Sequence, residues 1–131
     1  EDYLFWLKVS RIYPMHALDG SVALYRIHEA SAMRRLDAEN HLTELLRIAV
    51  NRWGLPNPDG TSLPVDEFNK RLATSEFTHG YNHFWQGSPA VARRAFFRAF
   101  KGGALPLRSA AYIALTPFRQ VLLALKNRQP V

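Results

Sequence analysis

Apolar residues recur at helical spacing along most of the chain and alternate only once, near its start. Leu4, Phe5, Leu7, Val9 and Ile12 predict a short helix over 2–12. Lys8 and Arg11 lie near its C-terminal end, where the helix dipole favours cations, and Pro14 stops it. Asp19-Gly20 signals a turn. Val22, Leu24 and Arg26 then alternate against Ala23, Tyr25 and Ile27, the pattern of a short half-buried strand.

From residue 31 the period becomes helical. Ser31 can cap a long helix over 32–53 with a stripe of Met33, Leu36, Leu42, Leu45, Leu46, Ile48, Ala49 and Trp53. Gly54 and Pro56-Asn-Pro-Asp-Gly60 end it in a rigid polar connector. A second helix is predicted over 64–86, with Pro64, Asp66 and Glu67 in its first turn and Gly80 weakening its middle. Ser88-Pro89 restarts the chain as a helix over 89–101, directing Val91, Ala95, Phe96, Ala99 and Phe100 inward. Arg93, Arg94, Arg98 and Lys101 point mostly outward from it, and Gly102-Gly103 closes it. Pieces over 106–115 and 117–128 follow, broken at Pro117. The fold expected is mostly α, a bundle of about five helices with one short strand or hairpin near the N-terminus.

Composition sharpens this picture in three ways. At 131 residues, 47% hydrophobic and 21% charged, the chain has the make-up of one globular unit. Without cysteine it can form neither disulfides nor thiolate metal sites. No apolar run approaches the roughly 18–20 residues that cross a bilayer. The net charge of +6 is also unevenly spread. All eleven acidic residues lie in 1–76, whereas 77–131 carry eight Lys and Arg and no Asp or Glu. Such a half suits a polyanionic neighbour (phospholipid head groups, nucleic acid or a phosphorylated substrate) or forms the basic outer face of a bundle.

Candidate chemistry concentrates at the start. Glu1 and Asp2 open a helix, where carboxylates meet the positive end of the dipole. A carboxylate held by backbone N–H groups there can also act as a general base. Trp6 offers an indole face to a sugar ring or packs in the core. Arg26 and His28 fall on one face of the alternating segment. A neutral imidazole at His28 suits a divalent cation, or simply a hydrogen bond at a strand end.

The acidic pair, Tyr3-x-x-Trp6-Leu7, Arg11, Pro14, the segment Leu24-Tyr25-Arg26-Ile27-His28 and Ser31 together resemble the C-terminal part of family 2 glycosyltransferases. The specific likeness covers residues 1–31. It implies that these end a catalytic domain on its acceptor side, with 32–131 a C-terminal helical region. It further implies an inverting transfer from a nucleotide sugar to a hydroxyl of a sugar or lipid-linked acceptor. By the same likeness Asp2 is the base, Glu1 helps to position it, and Trp6, Tyr25 and Arg26 contact substrate. His28 joins a divalent cation, Mg or Mn, in the full-length enzyme. The likeness further implies a bacterial cytoplasmic enzyme of cell-envelope polysaccharide synthesis. Its basic helices over 89–101 and 117–128 would rest on the inner face of the membrane. The nucleotide-binding half, with its parallel sheet and Asp-x-Asp, would precede Glu1, and Asp-x-Asp does not occur in this chain. The segment alone is therefore expected to be inactive, and to self-associate over the uncovered apolar face of its first helix.

Other patterns carry less. His79 and His83 have the i, i+4 spacing of helix metal ligands, but Gly80 stands where a zinc protease places its Glu. His16 and His41 show no partners in the pattern. From Phe84 to Leu115 the spacing resembles one tetratricopeptide unit. Since arrays need about three repeats, this segment reads as a helical hairpin, and a protein-interaction module is the rival function. Nucleic-acid binding by the basic half is disfavoured, because Phe96, Phe97 and Phe100 read as packing residues and no binding motif occurs.

Overall fold

The computed structural model describes residues 2–20, 23 and 36–126. The predicted strand, the Ser31 cap, Glu1, Tyr25, Arg26 and His28 lie outside the described residues.

The protein is mostly helical. In chain order the elements are α1 (Asp2–Ser10), α2 (His41–Trp53), α3 (Val65–Gln86), α4 (Pro89–Lys101), α5 (Pro106–Leu115), a 3-10 turn (Thr116–Phe118) and α6 (Arg119–Lys126). No strand occurs among the described residues; the connector after α2 forms only an isolated bridge between Pro56 and Ser62.

The core is built where α3 meets α4, the most extensive helix contact, with α5 closing over it. Phe77 and Phe84 from α3 pack with Ala92, Phe96 and Ala99 from α4. Tyr112, Ile113 and Leu122 cover the cluster from α5 and α6. The Phe96 ring stacks on Tyr112 at 4.8 Å between centroids and meets Phe77 edge-on at 5.4 Å. Gly80 does not interrupt α3. A Cβ there would lie 3.1 Å from two Phe96 ring carbons and 3.2 Å from the Ala92 carbonyl oxygen. Glycine at this position lets the two helices close on one another.

The α2–α4 region differs from the sequence pattern in several places. Residues 36–40 are not helical, and α2 begins at His41 rather than at 32. Asn40 is the cap, its side chain accepting from the Thr43 N–H at 3.4 Å. The Asp37 carbonyl is meanwhile taken by the His83 ring at 2.9 Å, which holds the chain across α3 instead of along α2. The apolar stripe of α2 is only partly covered, with Leu42 and Ile48 exposed. The helix meets α3 through polar groups, Asn40 and Thr43 both bonding the Ser75 hydroxyl. On α4, Phe100 is exposed rather than inward, and Ala92 is buried.

The C-terminal pieces follow the pattern closely. Pro117 lies in the 3-10 turn between α5 and α6. Arg119 then donates to the carbonyls of Phe84 and Gly87, satisfying the end of α3 and tying α6 to it.

Candidate functional site

The first candidate surface is α1. Asp2 lies in its first turn, and Trp6, four residues on, lies on the same face of the helix. Trp6 is 53% exposed and meets only the edge of Phe5, at 5.2 Å between ring centroids, among the ring contacts described. It is thus not part of the core, which was one of its two readings. Tyr3 and Phe5 are exposed as well, whereas Leu4, Leu7 and Val9 are half-buried. Arg11 anchors the helix: two guanidinium nitrogens donate to the Pro56 carbonyl at 3.2 Å, and the group lies 5.7 Å from the Trp53 ring centre. Between α1, α2 and the connector lies a cleft of about 320 Å³ lined by Leu7, Arg11, Leu46, Val50, Trp53 and Leu63 among others. From α1 this cleft is lined by Leu7, Ser10 and Arg11, toward the C-terminal end of the helix. Glu1, Tyr25, Arg26 and His28, the other site residues expected from sequence, are not among those described.

A second, polar cleft was not anticipated. About 490 Å³ in volume, it opens between α2, α3 and α4 and is lined by Asn40, Thr43, Arg47, Glu76 and Arg98 with Glu39 and Glu44. Glu76 is 4% exposed, its Oε2 lying 3.7 Å from the Arg98 guanidinium without a hydrogen bond to it. A carboxylate taken out of water needs such a counter-charge. Arg98, expected to face outward, supplies it from a half-exposed position. The signal was present in the sequence, because Glu76 occupies the apolar register that continues through Leu72, Ala73, Phe77, Gly80 and Phe84. The arrangement can accept hydrogen bonds at a fixed point and neutralise charge.

The His79–His83 pair is brought together, with ring centroids 4.6 Å apart. Both nitrogens of His83 are already engaged. Its Nδ1 accepts from the Ser88 N–H at 3.2 Å, which leaves Nε2 to donate to the Asp37 carbonyl at 2.9 Å. His83 is therefore a buried brace joining the 36–40 segment to the α3–α4 turn, and metal ligation would cost it a backbone bond. No group of three potential ligands is assembled among the described residues.

His79 is held below the ordinary histidine value, first by burial and next by His83 beside it. Arg98 acts in the same direction, while the Ala38 backbone and Glu76 oppose it. The folded state thus resists a proton that the unfolded chain accepts near its ordinary value of about 6.5. The associated stability is fully present above about pH 6.5 and declines as pH falls further. The urea midpoint is expected to drop between about pH 7 and pH 5, and His79→Gln should flatten that slope. An unchanged slope in the variant would refute the role.

No family model, curated protein or solved structure matches the chain. No helix among the described residues is long and apolar enough to cross a membrane.

Proposed function

We propose that the chain is the C-terminal portion of an inverting glycosyltransferase that moves a sugar from a nucleotide sugar to a hydroxyl acceptor. Asp2 is the general base in this reading, with Glu1 beside it and Trp6 on the acceptor side. Tyr25, Arg26 and His28 face the nucleotide diphosphate and its cation. One observation carries the reading: the run Glu1-Asp2-Tyr3-x-x-Trp6-Leu7, followed about twenty residues on by Tyr25-Arg26-x-His28. Two features of α1 support it. Asp2 stands in the first turn, where backbone N–H groups and the dipole favour an ionised carboxylate, and Trp6 is open to a ligand on the same face.

Transfer to a hydroxyl needs a base within hydrogen-bond reach of its proton. A single displacement needs no covalent nucleophile, so one positioned carboxylate is sufficient. The donor site requires a nucleotide-binding half ahead of Glu1. The test is release of nucleoside diphosphate from a panel of nucleotide sugars. A chain extended upstream of Glu1 is expected to release it in the presence of a hydroxyl acceptor, and the 131-residue chain alone is not. Robust transfer by the 131-residue chain, or an upstream sequence without a parallel α/β pattern, would overturn the reading.

A further inference from the structure

The polar cleft between α2, α3 and α4 continues into a second one of about 340 Å³. Arg47, Glu76 and Arg98 line both, so the two form one groove with Glu76 at their junction. Spaces of this size take small ligands. The groove also changes sign along its length. Its first part sets Glu39, Glu44 and Glu76 against Arg47 and Arg98. Its second part sets Glu76 alone against Arg47, Arg98 and Lys101.

Glu76 is the feature that packing does not explain. It is 4% exposed, in the register that buries Leu72, Ala73 and Phe77 on α3. An apolar residue there would extend the core without the cost of taking a charge out of water. Arg98 supplies a counter-charge at 3.7 Å, yet Oε2 of Glu76 receives no hydrogen bond among the described residues. A buried charged acceptor left without a donor is destabilising, and a donor brought by a ligand removes that deficit. The surrounding groups are within reach of solvent. Glu39, Arg47 and Lys101 are exposed, and Arg98 is half-exposed. Two groups have other neighbours: Glu44 lies 3.6 Å from the His41 ring, and the Lys101 ammonium lies 4.8 Å from the centre of the Phe97 ring.

We propose that this groove binds a small zwitterion, its ammonium donating to the Glu76 and Glu39 carboxylates and its carboxylate received by Arg47, Arg98 and Lys101. An ammonium carries three donors and the charge that the acid-rich end requires. Arg98 keeps further donors beyond the nitrogen that faces Glu76, so it can meet a carboxylate as well. A bare metal ion fits less well, since no group of three potential ligands is assembled among the described residues. A polyanion is disfavoured by Glu39 and Glu44 at one end of the groove.

The groove shares no residue with the sugar-transfer reading, so either can fail alone. The 131-residue chain is titrated with glycine, β-alanine, γ-aminobutyrate and ε-aminocaproate, which hold their two charges at increasing separation. Butylamine and butyrate, with one charge each, are titrated alongside, and binding is followed by amide NMR shifts. At least one of the four zwitterions is expected to bind with Kd below about 10 mM, shifting the amides of Thr43, Glu76 and Gly102. Butylamine and butyrate should bind at least about tenfold more weakly. Glu76→Gln keeps the shape and loses the charge, and should weaken binding by about tenfold or more. Arg47→Gln, at an exposed position whose loss leaves the core intact, should weaken it by about threefold or more. Arg93→Gln, exposed on α4 outside the groove, should bind like the parent. No binding of any zwitterion, equal binding of the single-charge probes, or affinity unchanged by both Glu76→Gln and Arg47→Gln would overturn the proposal.

Discussion

Phe96→Ala is expected to cost about 3–5 kcal/mol of folding stability. The side chain is fully buried where α3, α4 and α5 meet. Its loss removes the transfer energy of the ring and leaves a cavity under Tyr112. It also breaks the stacked pair and two edge-on pairs, to Phe77 and Phe84. The surroundings cannot readily collapse, because Gly80 presses against the ring from α3 and Ala92 and Ala99 are already without exposure. Domains of this size are stable by roughly 5–15 kcal/mol, so the variant should lose a large part of its stability. Its urea midpoint should fall by more than about 1 M. Phe97→Ala is the matched control: one residue along the same helix and 51% exposed, it should cost less than about 1 kcal/mol. Similar losses for the two would contradict the packing described.

On the sugar-transfer reading proposed above, Asp2→Asn in a chain extended upstream of Glu1 is expected to lower kcat by about 10²- to 10⁴-fold. The amide keeps the size of the carboxylate. It cannot take a proton from an acceptor hydroxyl. The donor KM should stay nearly constant, since donor binding is assigned elsewhere. A merely structural carboxylate gives another pattern. Losing a favourable charge at a helix N-terminus costs about 0.3–1 kcal/mol and would shift Tm with little effect on kcat. A variant that retains kcat within about threefold while Tm falls would sink the assignment.

The helical layout was largely legible in the residues. Pro64, Ser88-Pro89 and Gly102 mark their boundaries through fixed φ, capping and backbone freedom, and α3 and α4 fall at or within one residue of them. What the pattern could not carry was long-range competition for backbone groups. Met33 and Leu36 keep helical spacing ahead of α2, yet His83, far along the chain, claims the Asp37 carbonyl and Asn40 starts the helix instead. The three phenylalanines at 96, 97 and 100 are alike as symbols, and only the approach of α3 and α5 separates the buried Phe96 from the exposed pair. Of the candidate chemistry, the sequence marked α1 but not the Glu76 cleft. A carboxylate in an apolar register is visible, whereas its counter-charge comes from a helix whose orientation the pattern leaves open.

Only Gly87 and Ser88 separate α3 from α4. So short a span makes bringing the ends together cheap, and it places the bulk of the core among neighbours in sequence. That pair can therefore assemble early and on its own account. Helix α1 must instead find a platform that already exists, which among the described residues it meets through Arg11 and the flank of α2.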